Sequence, residues 1–219
     1  MSAAERDLPS SDASVAGLSD AALARIADAI AAAETRTSAE IRVVVARAPL
    51  VQHPFFSVLW ASLAALVVPW FVALMWPLPA LELLAVQAVL FVALASLLML
   101  PGVVHRVIPR LALKAAARSA AIETFLAYGI PQTEGRTGIL IYAAARERLV
   151  EVVADEGVHT PLGHGAWQDI CDAVAIRARV GNLADGLVCG VEKAGELLSG
   201  PLPPRPGDRN ELANHVIVL

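Results

Sequence analysis

An α/β fold follows from three features of the sequence: an α/β/α sandwich around a small mixed sheet, interrupted by a two-helix transmembrane hairpin. The first feature is where the hydrophobic residues fall. The chain of 219 residues is 57% hydrophobic and 17% charged, against about 45–50% and about 25% for a soluble domain. The excess lies between Arg47 and His105, a stretch with no Lys or Arg and with Glu82 as its single acid. The second feature is a change of apolar period on either side of that stretch, from the three- and four-residue spacing of helices to the runs EIRVVVA and GILIYAAA, which suit strands. The third is their order, α, β, hairpin, α, β, β, α, α, which lets helices cover both faces of one sheet.

Residues 1–17 read as a flexible segment. Glu5, Arg6, Asp7 and Asp12 leave it without the apolar core of a secretory signal. Ser19 and Asp20 stand where a helix cap belongs, ahead of Leu23, Ile26, Ile30 and Ala33 on one face, which predicts a helix over 20–35. Glu34 and Arg36 then read as a helix end meeting solvent. The strand 40–46 places Ile41, Val43 and Val45 on one side.

The first span, 55–76, has no ionisable residue and carries Phe55, Phe56, Trp70 and Trp76 near its ends, where aromatic rings meet the headgroup layer. The second, 80–100, has Gln87 as its main polar residue. Each has the roughly 20 apolar residues that crossing about 30 Å of hydrocarbon requires. Pro77 and Pro79 stop the first helix and leave a turn too short for anything but an antiparallel return. Arg36, Arg42 and Arg47 precede the spans and Arg106, Arg110, Lys114 and Arg118 follow them, while the turn has no basic residue. The excess of basic residues predicts a cytoplasmic location for both termini and the whole soluble domain. Arg106 and Arg110, with Trp70 and Trp76, are the expected membrane-interface residues. The Ala-, Val-, Leu- and Arg-rich composition suggests a bacterial chain, and hence a multi-pass protein of the cytoplasmic (inner) membrane.

Residues 18–54 and 105–219 then form one split domain around the hairpin of 55–104. Leu111 to Ala127 predicts an Ala-rich helix ended by Gly129 and Pro131. GILIYAAA suits a strand covered on both faces, and Leu149 to Ala154 returns antiparallel to it. Helices near 165–179 and 184–199 follow, and the terminal HVIVL is a candidate edge strand. The net charge of −4 and the absence of a basic stripe exclude a nucleic-acid groove. Cys171 and Cys189 have no metal-ligand spacing and read as reduced thiols.

The runs AALARIADAIAAAETRTSAEIRVVVAR, ETFLAYGIPQTEGRTGILIYAAARERLVEVVADEGV with Trp167 beyond it, and PRPGDRNEL together resemble the TPM-domain proteins. PRPGDRNEL is similar to the tail of a bacterial membrane subgroup in which the hairpin splits the domain. That family includes a thylakoid-lumen protein with phosphatase activity, photosystem-associated proteins and an auxiliary subunit of acetylcholine receptors. The resemblance implies an α/β/α sandwich and, as a function, assistance in assembling or maintaining another membrane complex. In place of the family's Asp-x-Ala-Gly signature stands only the looser DASVAG of Asp12 to Gly17.

No GxSxG, HExxH, P-loop or GxGxxG is present, so no nucleophile and no organic cofactor is indicated. The residues most like a site are Asp155, Glu156, His159 and His164, in a segment that reads as a polar loop; carboxylates and imidazoles so close could hold a divalent cation such as Ca²⁺ or Mg²⁺. Glu40, in the family's Thr-x-x-Glu-Ile pattern with Thr37 and Ile41, could line the same sheet edge beside Asp155, or pair with Arg136 or Arg42. The preferred expectation is a non-enzymatic interaction domain, anchored in the lipid bilayer by its hairpin and bound to another integral membrane protein; the alternatives are a metal-dependent phosphatase, with Asp155 and Glu40 as ligands and a bound water attacking, and an accessory subunit of a transporter or channel.

Overall fold

The computed structural model describes residues 18–51, 54–100, 103, 106–162, 166–179, 182–205, 207 and 210–219. The expected flexible segment 1–17, together with His105 and His164, lies outside them. The chain divides into two units, one running up to Leu50 and resuming at Ala116–Leu219, the other being Val51–Ala115.

In the first unit, helix α1 (Asp20–Glu34) begins where the Ser19 hydroxyl accepts the Ala22 N–H at 3.2 Å. It buries Ala22, Ile26, Ile30 and Ala33, the face that the spacing predicts. Strand β1 (Glu40–Ala46) runs parallel to β2 (Gly138–Ala144), from Glu40 opposite Gly138 to Ala46 opposite Ala144. Strand β3 (Leu149–Ala154) is antiparallel to β2, and the two-residue β4 (Ile217–Val218) is parallel to β1, giving the order β3-β2-β1-β4. Every residue of β1 and β2 is buried, because both faces are covered. Ile41, Val43, Val45, Ile139 and Ile141 pack under α1, α6 (Ala166–Arg179) and α7 (Leu183–Ser199). Val44, Leu140 and Tyr142 pack under Ala121 and Phe125 of α4 (Arg110–Ala127), with Ile130 and Leu212. The alternation of the strands thus sorts one set of side chains to each face.

Small residues set how closely the covering helices approach. A Cβ on Gly190 of α7 would stand 2.4 Å from Val174 Cγ2 of α6, and one on Gly195 would stand 2.8 Å from Ala33 Cβ of α1.

The second unit holds α2 (Phe55–Met75) and α3 (Ala80–Leu98). The buried residues of α2, Ser57, Ala61, Ala65 and Pro69, form a stripe at four-residue spacing that allows close helix packing of the kind found in membranes. The Ser57 hydroxyl donates to the Leu98 carbonyl at 3.0 Å. Elsewhere the two helices are apolar and uncovered: Phe71 is 66% exposed, Leu81 80% and Val89 71%. At about 1.5 Å per residue they are about 28–32 Å long, and both are long and apolar enough to cross a membrane.

One local expectation differs. Much of the segment after Asp155 is a helix, α5 (Glu156–Leu162), and not a polar loop. Gly157, Pro161 and Gly163 hide it from a propensity reading. It forms because the Asp155 carbonyl accepts the N–H groups of Val158 and His159 at 3.1 and 3.0 Å, while its Oδ1 accepts that of Glu156 at 2.7 Å.

Candidate functional site

Strands β1 and β2 begin, and β3 ends, at one end of the sheet. Glu40 lies opposite Gly138, and the Asp155 N–H donates to the Gly138 carbonyl at 3.0 Å. Alternation puts Glu40, Gly138 and Asp155 in one cross-strand row on the α4 face. The two acids are therefore two strand spacings apart, about 10 Å. Between them sits Ile130, fully buried in a 3₁₀ turn (Ile130–Gln132). A Cβ on Gly138 would meet Ile130 Cγ2 at 2.5 Å and its carbonyl oxygen at 2.6 Å, so the glycine makes room for an apolar wedge that separates the carboxylates.

Each acid is taken up by its own neighbours. Asp155, 5% exposed, forms an ion pair with Arg136 Nη2 at 3.1 Å, and Arg136 Nη1 donates to Glu156 Oε2 at 2.8 Å. Arg136 adopts φ 55°, in the left-handed region, and its carbonyl accepts the Gly157 N–H at 3.1 Å. A Cβ on Gly157 would lie 2.4 Å from the Gly135 carbonyl oxygen and 2.7 Å from that of Arg136. Only glycine lets α5 approach this turn so closely. Asp155 is thus a buried clasp between the 133–137 loop and α5, and its second oxygen, Oδ2, has no hydrogen-bond partner among the described residues.

Glu40 closes a second clasp. Its Oε2 accepts the Leu212 N–H at 3.0 Å, and Arg42 Nη1 donates to the Ala213 carbonyl at 2.8 Å. Glu34, expected in solvent, instead turns in and accepts the Ile41 N–H at 2.9 Å, on the part of β1 that β4 does not reach. Burial, with Glu40 adding to it, pushes the Glu34 carboxyl up to about 7, against the opposing hydrogen bonds of Ile41 and Asn214. Burial pulls the Arg42 guanidinium down, and Glu34 and Glu40 hold it up. Glu211 Oε2 accepts the Glu134 N–H at 2.8 Å, and Leu202 accepts from the Ser38 N–H and the Thr37 hydroxyl at 3.0 and 2.7 Å. The C-terminal segment is therefore fastened at several described points to the end and edge of the sheet. Arg136 pairs with Asp155 and Glu156, while Glu40 and Arg42 bind the tail.

His159 lies elsewhere, lining a cleft of about 250 Å³ at the outer edge of β3 with Arg118, Glu151 and Trp167. Among the described residues no three of His, Cys, Asp and Glu come together as a metal site. Trp167, 6% exposed, is an anchor of the larger core. Trp70 and Trp76 are 58% and 74% exposed, and Arg106 and Arg110 are exposed around the start of α4. Sequence reasoning missed Glu34, since a glutamate at a helix end carries no mark of an inward turn. It also missed Arg118, which long-range pairing alone brings to β3.

Residues 103–197 match the family model described as the TPM domain. No curated protein matches the chain. Among solved structures, the NMR structure of the BA42 protein from the psychrophilic bacterium Bizionia argentinensis is similar in fold. It superimposes with a TM-score of 0.58 at 21% identity, covering 92% of this chain and 95% of that one. The match to the TPM domain thus spans the stretch that carries β2, β3 and helices α4 to α6 with most of α7.

Proposed function

We propose that the protein is a membrane-anchored interaction module, a TPM domain held at the bacterial inner membrane by the α2–α3 hairpin, and that it helps assemble or maintain another integral membrane complex. The observation that carries this reading is the uncovered apolar surface of α2 and α3. Helices apolar on all sides are stable in lipid or against another apolar protein surface, and two of them are too few to enclose a transport path. In this reading the Trp76–Pro79 turn faces outward and the TPM domain faces the cytoplasm, as the basic residues flanking the hairpin direct. The Asp155 and Glu40 clasps support an interaction role over hydrolysis, because each carboxylate is bound to the protein itself.

The test is recovery of the full-length protein in mild detergent with mass spectrometry of what accompanies it. A near-stoichiometric membrane protein that is lost when α2–α3 is exchanged for a foreign hairpin supports the reading; if that protein is a transporter or channel, the role is that of an accessory subunit. Repeated recovery of the chain alone refutes it. A Leu78→Cys variant tests the orientation: a membrane-impermeant maleimide applied to intact cells is expected to label the thiol introduced in the turn.

A further inference from the structure

The cleft at the outer edge of β3 differs from both clasps in gathering charged and polar groups around an open volume. On the α4 face stand Arg118 and Glu151; on the other stand Trp167 and Cys171 of α6, with Val152 and Ala154 between them. The Asp155 N–H points toward β2, so alternation turns the peptide groups of Val152 and Ala154 outward to this edge. The Val152 carbonyl accepts from Arg118 Nη1 at 2.8 Å, and its N–H reaches the Cys171 sulfur. Arg118 and Glu151 approach only to 3.8 Å, beyond hydrogen-bonding distance. The Trp167 indole N–H, on a residue more than nine-tenths buried, has no acceptor among the described residues.

A buried N–H that only donates, in a cleft that a guanidinium also lines, calls for an anionic acceptor. The adjacent Glu151 carboxylate would repel a simple anion and attract a cation. We propose that this cleft binds a small zwitterion of amino-acid size, its carboxylate taken by Trp167 Nε1 and Arg118 and its ammonium by Glu151. The volume suits such a ligand, being below that of pockets for drug-sized molecules. Burial pushes the Cys171 thiol up to about 11, which keeps it neutral, so Arg118, Glu151 and the His159 ring are the other titratable groups lining the cleft.

The experiment uses full-length protein in detergent, labelled with 5-fluorotryptophan, whose Trp167 fluorine resonance is assigned with a Trp167→Phe variant; the other three tryptophans, Trp60, Trp70 and Trp76, serve as internal controls. L-serine is titrated, with acetate, methylammonium and inorganic phosphate as probes that each carry charge of a single sign. The expected result is a saturable shift of the Trp167 resonance with L-serine alone, weakened about tenfold or more in Glu151→Gln and in Arg118→Gln. Because Arg118→Gln also removes the bond to Val152, Glu151→Gln is the deciding variant. Equal shifts with acetate or phosphate, binding unchanged or tightened by Glu151→Gln, or no shift up to about 50 mM L-serine, some fiftyfold above a millimolar Kd, would each overturn the proposal.

Discussion

Replacing Glu34 with glutamine should make the domain more stable at alkaline pH. Glu34 Oε1 accepts the Ile41 N–H, and burial beside Glu40 carries the carboxyl from 4.5 to about 7. The folded chain holds the Glu34 proton more tightly than the unfolded chain does. Its contribution is therefore complete below pH 4.5 and is lost as pH rises through 7. At about 1.4 kcal/mol per pH unit the whole displacement corresponds to roughly 3 kcal/mol. The side chain keeps some contact with water, so screening reduces this to about 1–2 kcal/mol between pH 5 and pH 8. Glutamine keeps the amide oxygen that accepts from Ile41 and carries no charge to bury. The assay is a urea titration of full-length protein in detergent at both pH values, read by hydrogen–deuterium exchange of the peptide covering 40–46. Wild type should lose about 1–2 kcal/mol against Glu34→Gln on going from pH 5 to pH 8. Parallel curves for the two proteins, or a variant less stable than wild type at pH 8, would refute the argument.

Gly157→Ala places a methyl group 2.4 Å from the Gly135 carbonyl oxygen, and the shift it forces should cost about 1–3 kcal/mol in the same titration. Asp155→Ala leaves Arg136 and the Glu156 N–H without their buried acceptor and should cost about 1–3 kcal/mol. We expect Mg²⁺ and Ca²⁺ to leave the melting temperature of the wild type unchanged; a rise that disappears in Asp155→Ala would make Asp155 a metal ligand and favour the phosphatase reading. The Cys171 thiol, pushed up to about 11, carries well under ~1% thiolate near pH 8, so iodoacetamide should modify it in urea and leave it intact in the folded protein, as peptide mapping would show.

The elements were legible because each rests on a local pattern. The spacing of Ile26, Ile30 and Ala33 marks α1, the EIRVVVA run marks β1, and the lengths of the two apolar stretches mark α2 and α3 to within two residues of where the helices end. The hydrophobic effect acts on such patterns almost irrespective of what packs against them. Helix α5 was hidden, because what stabilises it is a capping carboxylate and a close backbone approach at Gly157, and a sequence displays these as a turn-forming glycine and an acid. For the site, the sequence alone marked Glu40 and Asp155 as polar residues at the same edge of a sheet. Tertiary structure decided what they do, since the register that puts Gly138 between them also seats Ile130 there and hands one acid to Arg136 and the other to the tail. The inward turn of Glu34 and the meeting of Arg118 with β3 belong to the same class: a hydrogen bond or an ion pair depends on ångström-scale distances between residues far apart in the chain, and no periodicity records them.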